Sequence, residues 1–156
     1  MSPSHAVETA RARLCLPAAL RRQLVELVES SYPFEACGLI LGRAAETRIE
    51  AVRIFSARNL NRDRPEDRYL VDPEDFLAAD RAALARGLEI VGIWHSHPNS
   101  PAHPSQTDLE GAWEGYSYLI ISVTGDGAEG AVAFRSWRLV GDRFVEEAIE
   151  PEDPEP

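Results

Sequence analysis

Between an apolar run at residues 88–93 and a helix start at residue 105, the chain reads Trp94-His95-Ser96-His97-Pro98-Asn99-Ser100-Pro101-Ala102-His103-Pro104-Ser105-Gln106-Thr107-Asp108. The run before it has the character of a strand. His95 and His97 therefore fall at a strand end, where two-residue alternation turns both imidazoles to one side. About 7 Å of strand rise separates their backbones, a gap that two imidazoles close around one metal ion. Pro98 stops the strand. Ser105 then stands as an N-cap ahead of Gln106 and Thr107, which puts Asp108 in the first turn of a helix. Whatever the fold, it has to bring this strand end and this helix start together.

Two histidines and one carboxylate make the three-ligand set of a catalytic zinc site, with a fourth position left to water. A structural zinc would draw four ligands rich in cysteine, and the chain has only Cys15 and Cys37. Each residue alone has an ordinary reading: Ser-x-x-Asp is a capping pattern, and histidines near a strand end can be polar rim residues. Taken together they favour the metal. His103 is an alternative fourth ligand, though it lies in a proline-rich loop. Cys37 is read as a small buried apolar residue rather than a thiolate ligand.

Elsewhere the patterning alternates between strands and two long helices. Residues 12–16 predict a short strand. A helix opened by Pro17 carries Leu20, Leu24, Leu27 and Val28 at helical spacing and ends before Tyr32-Pro33. Residues 36–43 form a nearly unbroken apolar strand suited to burial on both faces, with Glu35 at its entrance. A carboxylate there either faces water or meets a charge inside a cleft. Residues 48–55 alternate, with Ile49, Ala51, Arg53 and Phe55 on one side. Residues 56–68 are a charged surface loop, followed by a short strand at 69–71. Asp72-Pro73 caps a second helix reaching about Arg86, with Phe76, Leu77, Ala83 and Leu84 toward the sheet and Gly87 ending it. A short helix at 105–113 and strands at 116–124, 131–140 and 143–149 complete an α+β reading, a mixed sheet flanked by helices.

His95-x-His97-Pro98, six residues, then Ser105-x-x-Asp108 resembles the signature of the JAMM (MPN+) metalloproteases. The family's upstream glutamate is matched by Glu35 in Pro33-Phe34-Glu35-Ala36-Cys37-Gly38-Leu39-Ile40-Leu41-Gly42. The likeness covers roughly residues 14–140, and a motif in several parts is far more specific than a lone short pattern. It implies a curved mixed sheet between helices in the cytidine-deaminase-like αβα arrangement. It also implies zinc on His95, His97 and Asp108, with Glu35 and Ser105 as catalytic groups. Glu35 would take a proton from the activated water and deliver it to the leaving amine, while the Ser105 hydroxyl would help stabilise the oxyanion. Because the same hydroxyl also caps the helix, its capping bond is expected to be weak or shared. Eukaryotic members cut isopeptide bonds to ubiquitin. Short prokaryotic ones resemble enzymes that release amines or amino acids from the C-terminal glycine of ubiquitin-like sulphur carriers. With no room for large insertions, this chain is closer to the second type, and the expected partner is the C-terminal tail of such a carrier, laid by strand addition along a sheet edge beside the site. The alternatives are a non-catalytic interaction module and a RadC-like DNA-associated protein. The complete ligand set weighs against the first, and the lack of a helix-hairpin-helix lead segment against the second.

With 156 residues, one domain over residues 12–149 is expected, with a loose segment at 1–11 and an acidic disordered tail at 150–156. The net charge is −10, and six acids with no base in residues 146–156 leave −4 on the rest. Neither part suits nucleic acid, which is bound by clustered positive charge. No apolar run approaches the 18 or so residues needed to cross a bilayer, and residues 1–13 hold no apolar signal core, so a cytoplasmic protein is expected. Two cysteines far apart in sequence agree with a reducing compartment. All 16 basic residues are arginine, for which a genome rich in G and C is the ordinary cause.

Overall fold

The computed structural model describes residues 12–61, 63–64, 68–125 and 132–151. The expected loose segment at 1–11, part of the turn before residue 132, and residues 152–156 of the expected tail lie outside the described residues.

Strand β2 (Cys37–Ala44) is the hub, and its first six residues are all buried because both of its faces are covered. Ile40 joins a large cluster with Leu24 and Val28 of helix α1 (Ala18–Ser31), together with Leu14, Leu119 and Ile121. Leu39 and Leu41 point the other way and join Ala79 and Ala83 of helix α2 (Pro73–Ala85). Each helix thus covers an opposite face of β2, the reason this strand lacks the polar alternation of a half-buried one. Burying one leucine side chain in such a layer contributes about 1.5–3 kcal/mol.

Antiparallel strands β3 (Arg48–Ala57) and β4 (Glu89–Pro98) flank β2, and β5 (Ser117–Val123) runs parallel to β4. Strands β6 (Ala133–Val140) and β7 (Arg143–Glu150) follow in antiparallel order. The short β1 (Arg13–Cys15) pairs in parallel with both β3 and β7, closing the seven strands into a barrel-like mixed sheet. The chain is α+β, as the sequence predicts. Strand β7 extends to Glu150, whose carbonyl accepts from the Leu16 N–H at 2.6 Å. Among the described residues no helix is long and apolar enough to cross a membrane.

Two expectations about faces are corrected. In β3 the register shifts between Leu41↔Arg53 and Gly42↔Ala51, which leaves Val52 as an extra residue. This bulge reverses the alternation, so Ile54 joins Ile49 and Ala51 in the α1 cluster while Phe55 packs with the α2 cluster. In α2 the buried positions are Ala79 and Ala83, with Phe76 packed beside them, whereas Leu77 and Leu84 are 49% and 70% exposed. At 100° per residue Leu77 and Leu84 share a stripe of their own, and small alanines let the helix approach the sheet more closely than leucines would.

Both helix stops follow from sequence. The Tyr32-Pro33 pair ends α1, and Gly87, at φ +71°, takes the left-handed position just beyond α2. At the start of α2, Asp72 Oδ1 accepts from the Glu74 N–H at 2.9 Å.

Candidate metal centre

Strand β4 delivers His95 and His97 to one side, and the five-residue helix α3 (Gln106–Glu110) delivers Asp108 from its first turn. The three donor atoms form a nearly equilateral triangle: His95 Nε2 to His97 Nε2 is 3.2 Å, His97 Nε2 to Asp108 Oδ2 is 3.3 Å, and His95 Nε2 to Asp108 Oδ2 is 3.4 Å. Tetrahedral zinc with bonds near 2.0–2.1 Å spaces its ligand atoms roughly 3.3–3.4 Å apart. The residues present therefore fit one small divalent cation. Among the described residues no other group of three such ligands converges in this way.

Each donor is held from behind. His97 Nδ1 lies 2.8 Å from the Pro101 carbonyl oxygen. A carbonyl only accepts, so Nδ1 carries the proton and the neutral ring presents a lone pair at Nε2. The His95 ring is 1% exposed and stacks on Tyr69, centroids 4.2 Å apart and planes 20° from parallel. Asp108 sits in a capping box: its Oδ2 accepts from the Ser105 N–H at 2.9 Å, and its own N–H donates to Ser105 Oγ at 3.0 Å. The capping bond is of ordinary length, not weakened as expected. A hydroxyl accepts and donates through different sites, so the Ser105 proton is not used by the cap.

Electrostatics match the geometry. Burial lowers the proton affinity of His95, and the bond to Asp108 only partly opposes it. For His97 burial acts the same way but is outweighed by Asp108, the Pro101 carbonyl and the field of Glu35, so its pKa is raised. Burial also disfavours the Asp108 carboxylate, yet the two imidazoles beside it and the Ser105 N–H hold it well below the usual carboxylate range. Cys37 is pushed up to about 12 by burial and then by Glu35 and Asp75, and its Sγ lies 3.7 Å from the Arg58 carbonyl, outside the triangle of donors.

Glu35 stands just before β2, 6% exposed, within the electrostatic reach of both His97 and Tyr69. Its segment is fixed from two sides. Ala36 N–H donates to Ser96 Oγ at 2.8 Å and Ser96 N–H donates back to the Ala36 carbonyl at 3.0 Å, while Asn59 Nδ2 donates to the Glu35 carbonyl at 3.1 Å. Asn59 also donates to the Arg68 carbonyl and accepts from Leu70 N–H, tying the charged loop to the site. A cleft of about 630 Å³ opens from Asp108 between Tyr69 and Leu70 on one wall and Trp113 and Tyr118 on another.

Glu35, His95, His97, Ser105 and Asp108, singled out in the sequence, are thus brought to one place. His103 is not. It is turned away to Arg135 Nη1 at 2.8 Å and to the Trp137 ring at 5.5 Å, which removes it as a fourth ligand. Tyr69, Asn59, Ser96 and Pro101 were missed. Tyr69 acts through its ring face, Pro101 through its carbonyl, and Asn59 and Ser96 through side chains bonded to distant backbone groups, and no spacing rule marks them.

Residues 17–140 match a family model described as prokaryotic homologs of the JAB domain. Over 118 residues the chain is 35% identical to a desampylase of Haloferax volcanii, an alignment covering 75% of this chain and 78% of that one. It is 29% identical over 136 residues to a CysO-cysteine peptidase of Mycobacterium tuberculosis, covering 87% and 89%. The solution structure of a Desulfitobacterium hafniense protein superposes with a TM-score of 0.79 at 27% identity, covering 90% of this chain and 94% of that one.

Proposed function

The chain belongs to the prokaryotic JAB-domain family, and from that premise we propose that it is a cytoplasmic zinc peptidase hydrolysing the amide bond after the C-terminal glycine of a ubiquitin-like or sulphur-carrier protein. The observation that carries this reading is the triangle of His95, His97 and Asp108 with edges of 3.2, 3.3 and 3.4 Å beside the buried Glu35. The cytidine-deaminase-like αβα arrangement belongs to the same reading, supported by α1 and α2 on opposite faces of β2. The relatives named as a desampylase and as a CysO-cysteine peptidase support the substrate class.

His95, His97 and Asp108 would hold the zinc ion, which would supply Lewis acidity to polarise a carbonyl and bring the ionisation of water toward neutral pH. Glu35 takes the proton of the attacking water and returns it to the amine as the bond breaks. Its burial keeps competing water away from that exchange. The Ser105 hydroxyl accepts from the Asp108 N–H and turns its own proton to the developing oxyanion. With β4 hydrogen-bonded to β2 and β5 on its two sides, the strand bearing the histidines offers no edge for a tail to extend. The tail instead lies in the cleft along Tyr69 and Leu70, where residues without side chains let its backbone reach the scissile position.

The test is Glu35→Gln, which keeps the size of the side chain and removes its ability to accept a proton. On a fusion of a carrier's Gly-Gly terminus to an amine, the variant should hold zinc and lose about a hundredfold or more of the rate. Full activity in this variant would overturn the mechanism, and a zinc-loaded parent inert on every such fusion would overturn the substrate class.

A further inference from the structure

The loop between His97 and Ser105 carries the carbonyl that orients His97, and it is held from outside the motif. On β6 the Trp137 Nε1–H donates to the Ala102 carbonyl at 3.1 Å. Ala102 is only 3% exposed and directly follows Pro101, whose carbonyl accepts the His97 Nδ1 proton at 2.8 Å. The next residue, His103, lays its ring against Trp137 at 5.5 Å. Arg135, two residues before Trp137 and on the same face of β6, donates to His103 Nε2 at 2.8 Å. Its guanidinium is itself fixed by a two-bond pair with Glu146 at 2.8 Å each and lies 5.6 Å from the Trp137 ring centre. Residues 102 and 103 are therefore pinned to the sheet by a carbonyl and a ring, and Pro101 and Pro104 on either side leave little freedom in φ.

We propose that Trp137 is a positioning residue of the metal centre: its indole N–H fixes Ala102, Ala102 fixes the Pro101 carbonyl, and that carbonyl sets the proton and the angle of His97. The inference rests on the metal reading given above. A metal-ligating imidazole depends on the partner of its other nitrogen for both tautomer and orientation, and loss of such a partner typically weakens metal affinity about 10–100-fold. Trp137 acts one peptide further out, so the lower end of that range is expected. The same loop leads into Ser105 and Asp108, so its anchoring also bears on the third ligand.

The experiment is Trp137→Phe, which removes the N–H and keeps an aromatic face for His103. Zinc affinity by competition with a chromogenic chelator should fall about tenfold. In the metal-free protein, the His97 Nδ1 proton should exchange with water faster than in the parent, measured by proton–nitrogen NMR. Purely structural packing would change melting temperature without moving that proton. An unchanged affinity together with an unchanged exchange rate overturns the proposal. If the phenylalanine variant does not fold, benzothienylalanine at position 137 keeps the shape of indole and replaces only the N–H, and the same two measurements decide. A parent that binds no zinc through His97 overturns the metal reading itself, whereas a zinc-binding parent matched by Trp137→Phe overturns only the role of Trp137.

Discussion

Ala36 and Ser96 exchange two hydrogen bonds: the Ala36 N–H reaches Ser96 Oγ at 2.8 Å, and the Ser96 N–H reaches the Ala36 carbonyl at 3.0 Å. The pair carries the β2–β4 ladder one step past Cys37↔His95. It therefore sets the distance between Glu35, which precedes Ala36, and the two histidines that flank Ser96. Ser96→Ala would leave the buried Ala36 N–H without its acceptor, a cost of about 1–3 kcal/mol. The expected outcome is a zinc content equal to the parent's, a lower melting temperature and a reduced kcat. Parental kcat at full zinc loading would show that the clamp does not position Glu35.

Zinc should be a stabilising ligand as well as a reactive one. At a free concentration of 100 times Kd, a ligand of the folded state alone adds about 2.7 kcal/mol. In a chain of this size that shifts the melting temperature by about 5–10 °C. The parent should show this shift on adding zinc to chelator-treated protein and should bind close to one ion per chain. His97→Ala should abolish both effects, because the triangle of donors loses a vertex. Full occupancy in that variant would remove His97 from the ligand set.

The parts of this site that were legible in the sequence are the local ones. His95 and His97 share a side because they are two apart on a strand, and Asp108 faces Ser105 because a capping box is a three-residue relation. Helix α1 followed from its apolar spacing, and α2 from its Asp72-Pro73 start and Gly87 stop. What stayed hidden depends on backbone register or on contacts across the sheet. The extra residue at Val52 reverses a face without leaving a sequence mark, since valine is as acceptable at a bulge as in a ladder. Leucines in α2 looked like core, but the closeness of the sheet selected Ala79 and Ala83. Tyr69 reads as one aromatic after a charged loop until its ring is found on His95.

Gly38 tests how tightly the sheet behind the site is packed. A Cβ there would fall on the Phe55 carbonyl oxygen and against the Trp94 indole. Neither can yield easily, because Trp94 is fully buried and its Nε1–H donates to that same carbonyl at 3.3 Å. Gly38→Ala should cost about 1–3 kcal/mol or more in chemical denaturation, although alanine is ordinarily a mild change. A variant as stable as the parent would mean that β2 and β3 separate more readily than their register suggests.

Glu147 supplies a pH-dependent stability that is independent of the metal centre. Its carboxylate is 4% exposed between β5, β6 and β7, accepting from Ser117 Oγ at 2.7 Å and Ser136 Oγ at 3.1 Å, with Arg138 Nη1 at 3.6 Å. Burial raises its pKa, and Ser117, Arg138 and Ser136 offset this only in part. A raised pKa means that the folded protein binds this proton more tightly than the unfolded chain does. The associated stability is complete below the unfolded pKa, about 4.3 for a glutamate, and is lost as pH rises through the higher folded value. Glu147→Gln carries no such proton and stays neutral beside Arg138 at every pH, so the variant lacks this titration. The melting temperature of the parent should therefore fall relative to that of the variant as pH is raised from 4 toward 8. A difference that stays constant over that range, or that widens in the parent's favour with rising pH, would show that the Glu147 pKa is not raised in the folded protein.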